Sequence, residues 1–167
     1  MVQAFEGGTT TKVDSKGRMS IPAEFRRVLA AGDPGREDSE TTRMKVVFGQ
    51  HLTDCVAVYT VAEHQRIVND IYAMPRDRAA AQKKLAHLYV TQSATLEADR
   101  DGRIILPKNM REKLQIVEGQ IFFRGLVNYF EMWNNDIFER TVNVEIDAWL
   151  DEMGEDFDPL SLLGSGT

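Results

Sequence analysis

The sequence predicts an α+β fold that is mainly β, a pseudo-symmetric β-barrel made from two repeats with flanking helices. The first observation behind this is a stretch that occurs twice, Asp14-Ser15-Lys16-Gly17-Arg18-Met19-Ser20-Ile21-Pro22 and Asp99-Arg100-Asp101-Gly102-Arg103-Ile104-Ile105-Leu106-Pro107. Asp, Gly, Arg and Pro coincide at a constant offset of 85 residues (Asp14 to Asp99), and beyond the proline Phe25 meets Met110, Arg26 meets Arg111 and Leu29 meets Leu114. A self-match with Gly and Pro in phase marks a duplication. The second observation is that each half holds only about four short strands, too few to close alone; pairing the halves buries both apolar faces and removes exposed edges. The third is helical periodicity between and after these strands.

In chain order, residues 3–13 read as a short strand, a Gly7-Gly8 break and a second strand. Asp14 then opens a turn by accepting from backbone N–H groups just ahead of it, and Gly17 supplies the positive φ of a tight reversal. Arg18 begins a strand whose side chains alternate between two faces. Pro22 suits the first turn of a helix, where its missing N–H costs nothing. Phe25, Val28 and Leu29 give that helix an apolar face, with Arg26 and Arg27 off it as a solvated face. Residues 32–43 form a polar loop with no counterpart after the second helix, where only Val117-Glu118-Gly119 stands, so it reads as a surface insertion. Strands follow at Met44–Phe48 and Cys55–Tyr59, completing a first repeat over 3–61.

Thr60-Val61-Ala62-Glu63 fits a capping box, opening a helix striped by Ile67, Val68, Ile71 and Tyr72. Met74-Pro75 ends it, and an Ala-rich helix runs from Arg78 to Tyr89, so residues 62–92 read as an ordered helical connector. The second repeat, 93–136, reuses the turn with Asp99, Gly102 and Pro107, then strands at Ile121–Arg124 and Tyr129–Trp133 around a turn near Val127-Asn128. Asn134 or Asn135 caps a last helix over 137–153 bearing Ile137, Phe138, Val142, Ile146, Trp149 and Leu150. Residues 154–167, acidic and then Gly/Ser-rich, read as a disordered tail.

Composition narrows the function. With 43% hydrophobic residues in 167, the chain can bury a real core. The lone Cys55 excludes an internal disulfide and reads as a buried structural thiol in a reducing compartment. No apolar run approaches the roughly 18 residues of a membrane span. The start, Met1-Val2-Gln3-Ala4-Phe5-Glu6, lacks the basic and apolar regions of a signal peptide. A net charge of −6 argues against a nucleic-acid partner until it is mapped: all 20 Lys and Arg precede residue 141, whereas 141–167 hold seven acids (Glu145, Asp147, Asp151, Glu152, Glu155, Asp156, Asp158) and no base. Between Arg100 and Lys113 five bases face two acids. Local field rather than net charge governs anion binding.

Two Asp-x-x-Gly-Arg-x-x-x-Pro motifs about 85 residues apart, with the aromatic-ended strands Val56-Ala57-Val58-Tyr59 and Phe130-Glu131-Met132-Trp133 behind them, resemble the MraZ family of bacterial proteins. That family carries two AbrB-like (SpoVT-AbrB) domains, and the resemblance spans roughly residues 3 to 140. It implies an AbrB-like barrel of the swapped-hairpin, double-psi type, with one chain supplying both halves and several protomers assembling into a ring. It further implies a cytoplasmic, nucleoid-associated transcriptional regulator, not an enzyme, that binds double-stranded DNA at tandem repeats upstream of its own division and cell-wall gene cluster.

The cationic turns are the site candidates: Lys16 and Arg18 in the first repeat, Arg100 and Arg103 in the second. On residues alone two readings stand. Arginine makes bidentate contacts with phosphate or guanine, and a β-ribbon enters the major groove; equally, Arg18 and Arg103 could pair with Asp14 and Asp99 and hold the hairpins. The resemblance favours DNA, since AbrB-like domains bind it through this strand and loop region. Asp101 stands where the first copy has Lys16, so the two halves are not expected to contact DNA equivalently. A calcium loop over Glu97, Asp99, Asp101 and Gly102 fails because position 12 is Lys108. His51, His64 and His87 share no ligand spacing with one another or with Cys55, so no metal or cofactor is expected. No phosphate loop or nucleophile set appears. The alternative function is an antitoxin-like or other protein-interaction module on the same barrel, using the acidic C-terminal segment.

Overall fold

In the computed structural model, which describes residues 3–36 and 38–164, the chain is α+β with antiparallel strands and several helices. The strands are β1 (Gly8–Val13), β2 (Arg18–Ser20), β3 (Thr42–Val47), β4 (Cys55–Tyr59), β5 (Ser93–Ala98), β6 (Arg103–Ile105), β7 (Gly119–Gly125) and β8 (Phe130–Asn134). The helices are α1 (Ala23–Ala31), α2 (Val61–Tyr72), α3 (Ala79–Ala86), α4 (Lys108–Leu114) and α5 (Asn135–Met153). Two compact units divide the chain, Met1–Asn135 and Asp136–Thr167.

In the first unit, six strands form one sheet in the order β1-β7-β8-β4-β3-β5, and β2 pairs with β6 in a separate ribbon. The two repeats are interleaved: β1 pairs with β7, β4 with β8 and β3 with β5 across the halves. The expected barrel is corrected here. Among the described residues no ladder joins the ribbon to the sheet, so the hydrogen-bonded strands do not close. At each turn a single backbone bond crosses from sheet to ribbon, Asp14 N–H to Arg18 O and Asp99 N–H to Arg103 O, both at 3.1 Å, while the N–H groups after the turn go to the Asp14 and Asp99 carboxylates and those of Ile21 and Leu106 to the opposite turn.

The core lies between the six-stranded sheet, the ribbon, α1 and α4. Phe5, Phe25, Phe123 and Phe130 form its aromatic centre, with ring centroids from 4.7 Å (Phe25–Phe130) to 6.1 Å (Phe25–Phe123). Met19 and Ile104 close it from the ribbon side, and Leu29, Met110 and Leu114 from the helices. β4 is buried along its whole length because both its faces are covered. Val56 and Val58 join the main core, while Ala57 and Tyr59 meet Val47, with Ile67, Tyr89 and Tyr129 packed around them.

The 32–43 insertion is tied down rather than loose. Asp33 is buried and accepts from Arg43 through its backbone N–H (3.0 Å), Nε (3.0 Å) and Nη2 (2.6 Å). Arg36 reaches Glu97 of β5 at 2.7 Å. Glu37 lies outside the described residues. α2 starts as the capping pattern indicates, with Thr60 Oγ1 accepting from the Glu63 N–H at 3.0 Å. The Glu63 carboxylate pairs instead with Arg66 and Asn128. Its stripe differs from expectation: His64 and Ile71 are buried but Tyr72, the last residue of the helix before Ala73 and Met74-Pro75, is 86% exposed. The Ala-rich helix becomes a short π-helical turn over His87–Thr91, closed by Gln92 N–H to His87 O at 3.0 Å.

In the second unit, Ile137, Phe138 and Val142 of α5 are buried, whereas Ile146 and Leu150 of the expected stripe are exposed. The segment after α5, read from sequence as a disordered tail, is structured through residue 164. Gly154 (φ +88°) turns the chain, and Phe157 meets Trp149 edge-on at 5.5 Å. Asp158 then caps a 3-10 turn over Pro159–Gly164 through the Leu160 N–H. Residues 165–167 of that segment lie outside the described residues. No helix among the described residues is long and apolar enough to cross a membrane.

Candidate nucleic-acid interface

Each repeat builds its turn in the same way. Asp14 Oδ1 accepts from the N–H groups of Lys16 and Arg18, both at 2.9 Å, and Oδ2 accepts from Arg18 Nε at 2.6 Å. Asp99 Oδ1 accepts from Asp101 and Arg103, again at 2.9 Å, and Oδ2 from Arg103 Nε at 2.8 Å. These hydrogen bonds, the Arg18 and Arg103 backbone donors foremost, hold both carboxyls below the usual aspartate range. Gly17 (φ +84°) and Gly102 (φ +80°) occupy the left-handed region, where a Cβ is strained. They are also crossing points: Gly17 O accepts from Leu106 N–H at 2.8 Å, and Gly102 O from Ile21 N–H at 2.7 Å. A Cβ on Gly17 would stand 2.5 Å from Leu106 O. Pro22 and Pro107 sit one position before their helices, and each carbonyl accepts the first helical bond, from Arg26 and Arg111.

Arg26, read from sequence as part of a solvated helix face, and its repeat counterpart Arg111 are cross-braces. Arg26 of α1 donates to Arg100 O of the second turn at 3.0 Å, and Arg111 of α4 donates to Ser15 O of the first at 3.1 Å. Each repeat's helix therefore steadies the other repeat's turn. Sequence reasoning missed this, although Arg26 and Arg111 match at the repeat offset. Their shared placement could have suggested a shared role.

The ribbon orients the remaining side chains. β2 and β6 pair with Arg18 opposite Ile105, Met19 opposite Ile104 and Ser20 opposite Arg103. Alternation sends Met19 and Ile104 inward and leaves Arg18, Ser20, Arg103 and Ile105 on the outer face. Pairing with Asp does not bury the arginines: the Arg18 and Arg103 side chains are 65% and 67% exposed. The Nε bond ties each guanidinium to its turn carboxylate. The halves differ at one point, since Arg103 also meets Asp101 at 3.3 Å while Lys16 stands free of acids in the first turn. Lys16 and Arg100 at the turn tips have no ion-pair partner among the described residues. Lys12 of β1 lines the same open groove of about 970 Å³ as Arg18 and Arg103, with Glu97 opposite. The structure thus brings Arg18 and Arg103 together on one face, with Lys16 and Arg100 at its two ends.

The described residues contain no group of three His, Cys, Asp or Glu able to hold a metal ion. His64 is buried with Nε2 2.8 Å from Tyr89 O, and exposed His87 contacts Gln50. Cys55 is buried, and burial, with Glu131 nearby, pushes its thiol up to about 12.

Comparisons with known proteins agree over nearly the whole chain. A family model described as "MraZ protein, putative antitoxin-like" matches residues 4–86 and 90–149. A protein of Ruegeria pomeroyi named transcriptional regulator MraZ is 36% identical over 167 residues, covering 99% of each chain. One of the same name from Ruegeria sp. (strain TM1040) is 35% identical with the same coverage. Another, from Cereibacter sphaeroides (strain KD131), is 36% identical over 156 residues, 90% of this chain and 91% of the relative.

Proposed function

The chain belongs to the MraZ family, and from that membership we propose that it is a sequence-specific, DNA-binding transcriptional regulator whose reading head is the β2–β6 ribbon. One observation carries this assignment: two arginines, fixed by equivalent turns, stand together on the solvent face of a two-stranded antiparallel ribbon. A ribbon of that width fits the major groove, and a guanidinium whose Nε is engaged keeps its two terminal nitrogens for phosphate or for guanine O6 and N7, although at Arg103 one of them is shared with Asp101. Lys16 and Arg100 at the tips, with Lys12 beside the ribbon, add phosphate contacts. The names of the relatives point the same way.

The reciprocal β2–β6 pairing is the swapped-hairpin element of an AbrB-like architecture. The targets are tandem repeats upstream of the protein's own division and cell-wall gene cluster, giving autoregulation in a nucleoid-associated cytoplasmic protein. One protomer offers few cationic contacts, so a ring of protomers engages successive repeats, and linkage raises the effective concentration of each further contact. The reading includes no catalytic step and no cofactor.

The test is fluorescence anisotropy on the gene's own upstream duplex and a shuffled duplex across a salt series, for the wild type and the Arg18→Ala/Arg103→Ala variant at matched oligomer size. The expected result is a wild-type preference for its own upstream DNA. The variant should lose that preference, with the log K against log salt slope shallower by about 1 per phosphate contact removed. Equal binding by an intact variant would make the arginines structural and bring forward the antitoxin-like, protein-interaction reading, in keeping with the family's description as antitoxin-like.

A further inference from the structure

The outer face of the ribbon has four corners, and the repeat relates them in pairs. Arg18 corresponds to Arg103 and Ser20 to Ile105 at the same 85-residue offset (Ser20 to Ile105). Across the strands Arg18 stands opposite Ile105 and Ser20 opposite Arg103. The charged corners share their turn carboxylate, Asp14 or Asp99, and differ in the further contact of Arg103 with Asp101 at 3.3 Å, whereas the other two are unlike in kind: one is a small hydroxyl, the other a branched aliphatic side chain 66% exposed beside Arg18. Ile105 contributes nothing to the core, which Ile104 enters from the same strand.

Resting on the DNA-binding reading above, we propose that Ile105 is a specificity-determining residue that seats against the 5-methyl group of a thymine in the major groove, and that its contrast with Ser20 makes the ribbon read its site in one direction only. Thymine is the one base that presents a methyl group there, and an aliphatic side chain is its complement. Ser20, at the equivalent corner, offers a hydroxyl that donates to or accepts from a base edge and has no apolar reach. The arginines, alike in their Asp14 and Asp99 partners and distinguished by Asp101, supply affinity in either orientation of the ribbon. The Ser20/Ile105 corners add a choice of base to the asymmetry that Lys16 and Asp101 already give the turns, so each repeat of a preferred site is non-palindromic, with a thymine at one end. Strand propensity alone would also favour isoleucine at an exposed strand position, and the experiment separates the two causes.

The protein selects duplexes from a random pool, and each thymine of the enriched repeat is replaced in turn by deoxyuridine, which deletes only the methyl. Wild type, Ile105→Ser, Ile105→Thr and Ser20→Ala are compared by anisotropy, with melting temperature and oligomer size as controls. Burial of one methyl is worth roughly a 3- to 5-fold change in Kd per contact. Wild type should show that loss at one thymine per repeat. Ile105→Ser should bind thymine and uracil duplexes alike there. Ser20→Ala should keep the uracil penalty, and Ile105→Thr, which retains the branched strand geometry and one methyl, should show an intermediate one. Binding with no uracil penalty at any position, or a penalty unchanged in Ile105→Ser, overturns the assignment while leaving DNA binding intact. Failure of the wild type to enrich any duplex overturns the DNA-binding reading and this assignment with it.

Discussion

Gly17 and Gly102 show how much rests on a missing side chain. Each combines a positive φ with a close backbone crossing, so alanine adds left-handed strain and a clash together. At Gly17 the nearest obstacle is the Leu106 carbonyl at 2.5 Å, whereas at Gly102 it is the Arg26 stem at 2.5 Å, with the Ile21 carbonyl at 2.9 Å. A side-chain stem moves more cheaply than backbone. Gly17→Ala should destabilise by about 2–3 kcal/mol and Gly102→Ala by less, read from urea midpoints. Asp14 and Asp99 give a pH signature. Their folded-state pKa values lie below the ordinary 3.8, so their contribution is complete above that value and is lost as pH falls through the depressed folded one. Asp14→Asn/Asp99→Asn should therefore flatten the acid limb of the stability curve below about pH 4 and leave its neutral shape unchanged. Cys55, its thiol raised to about 12 by burial, should resist alkylation at pH 8 until denaturant is added, as a mass-shift assay would show.

Among the elements, the insertion before β3 is held by one buried carboxylate. Burial alone would push Asp33 up, but the Arg43 hydrogen bonds and charge outweigh it and hold the carboxyl below its ordinary range. Asp33→Ala strands a half-buried guanidinium and should cost about 2–3 kcal/mol. Arg43→Ala/Asp33→Ala should cost less than the sum of the single changes, a coupling that a double-mutant cycle reads directly. The polarity of residues 32–40 spoke for a surface loop, and only the approach of β3 showed which acid would be buried. α1 and α4 teach the same lesson. Their apolar faces were legible from the spacing of Phe25 with Leu29 and Met110 with Leu114. That Arg26 and Arg111 each brace the opposite turn was not, because a helical period says nothing about what lies beyond the helix.

For the whole molecule, the interleaved strand order means that neither repeat owns a complete sheet: β1 needs β7, and β3 needs β5. Residues 1–92 and 93–167 expressed separately should each lack cooperative unfolding by circular dichroism, and a mixture should regain it to the extent that the pieces pair. The chain itself determined what is local and periodic. The duplication, both Asp-x-x-Gly-Arg turns, the amphipathic helices, the Thr60 cap and the partition of charge before and after residue 141 follow from short-range stereochemistry, hydrogen bonding and composition, each decided within a few residues. Tertiary structure alone decided what depends on distant partners meeting. It left the six-stranded sheet open with a separate ribbon, each turn before the ribbon closed on its own Asp14 or Asp99 carboxylate. It exposed Tyr72 and ordered residues 154–164 through Trp149, Phe157 and Asp158. It also brought Arg18 and Arg103, 85 residues apart (18 to 103) in sequence, onto one face. That juxtaposition arises because neither three-residue strand can satisfy its own hydrogen bonds, and the matching strand of the other repeat completes them.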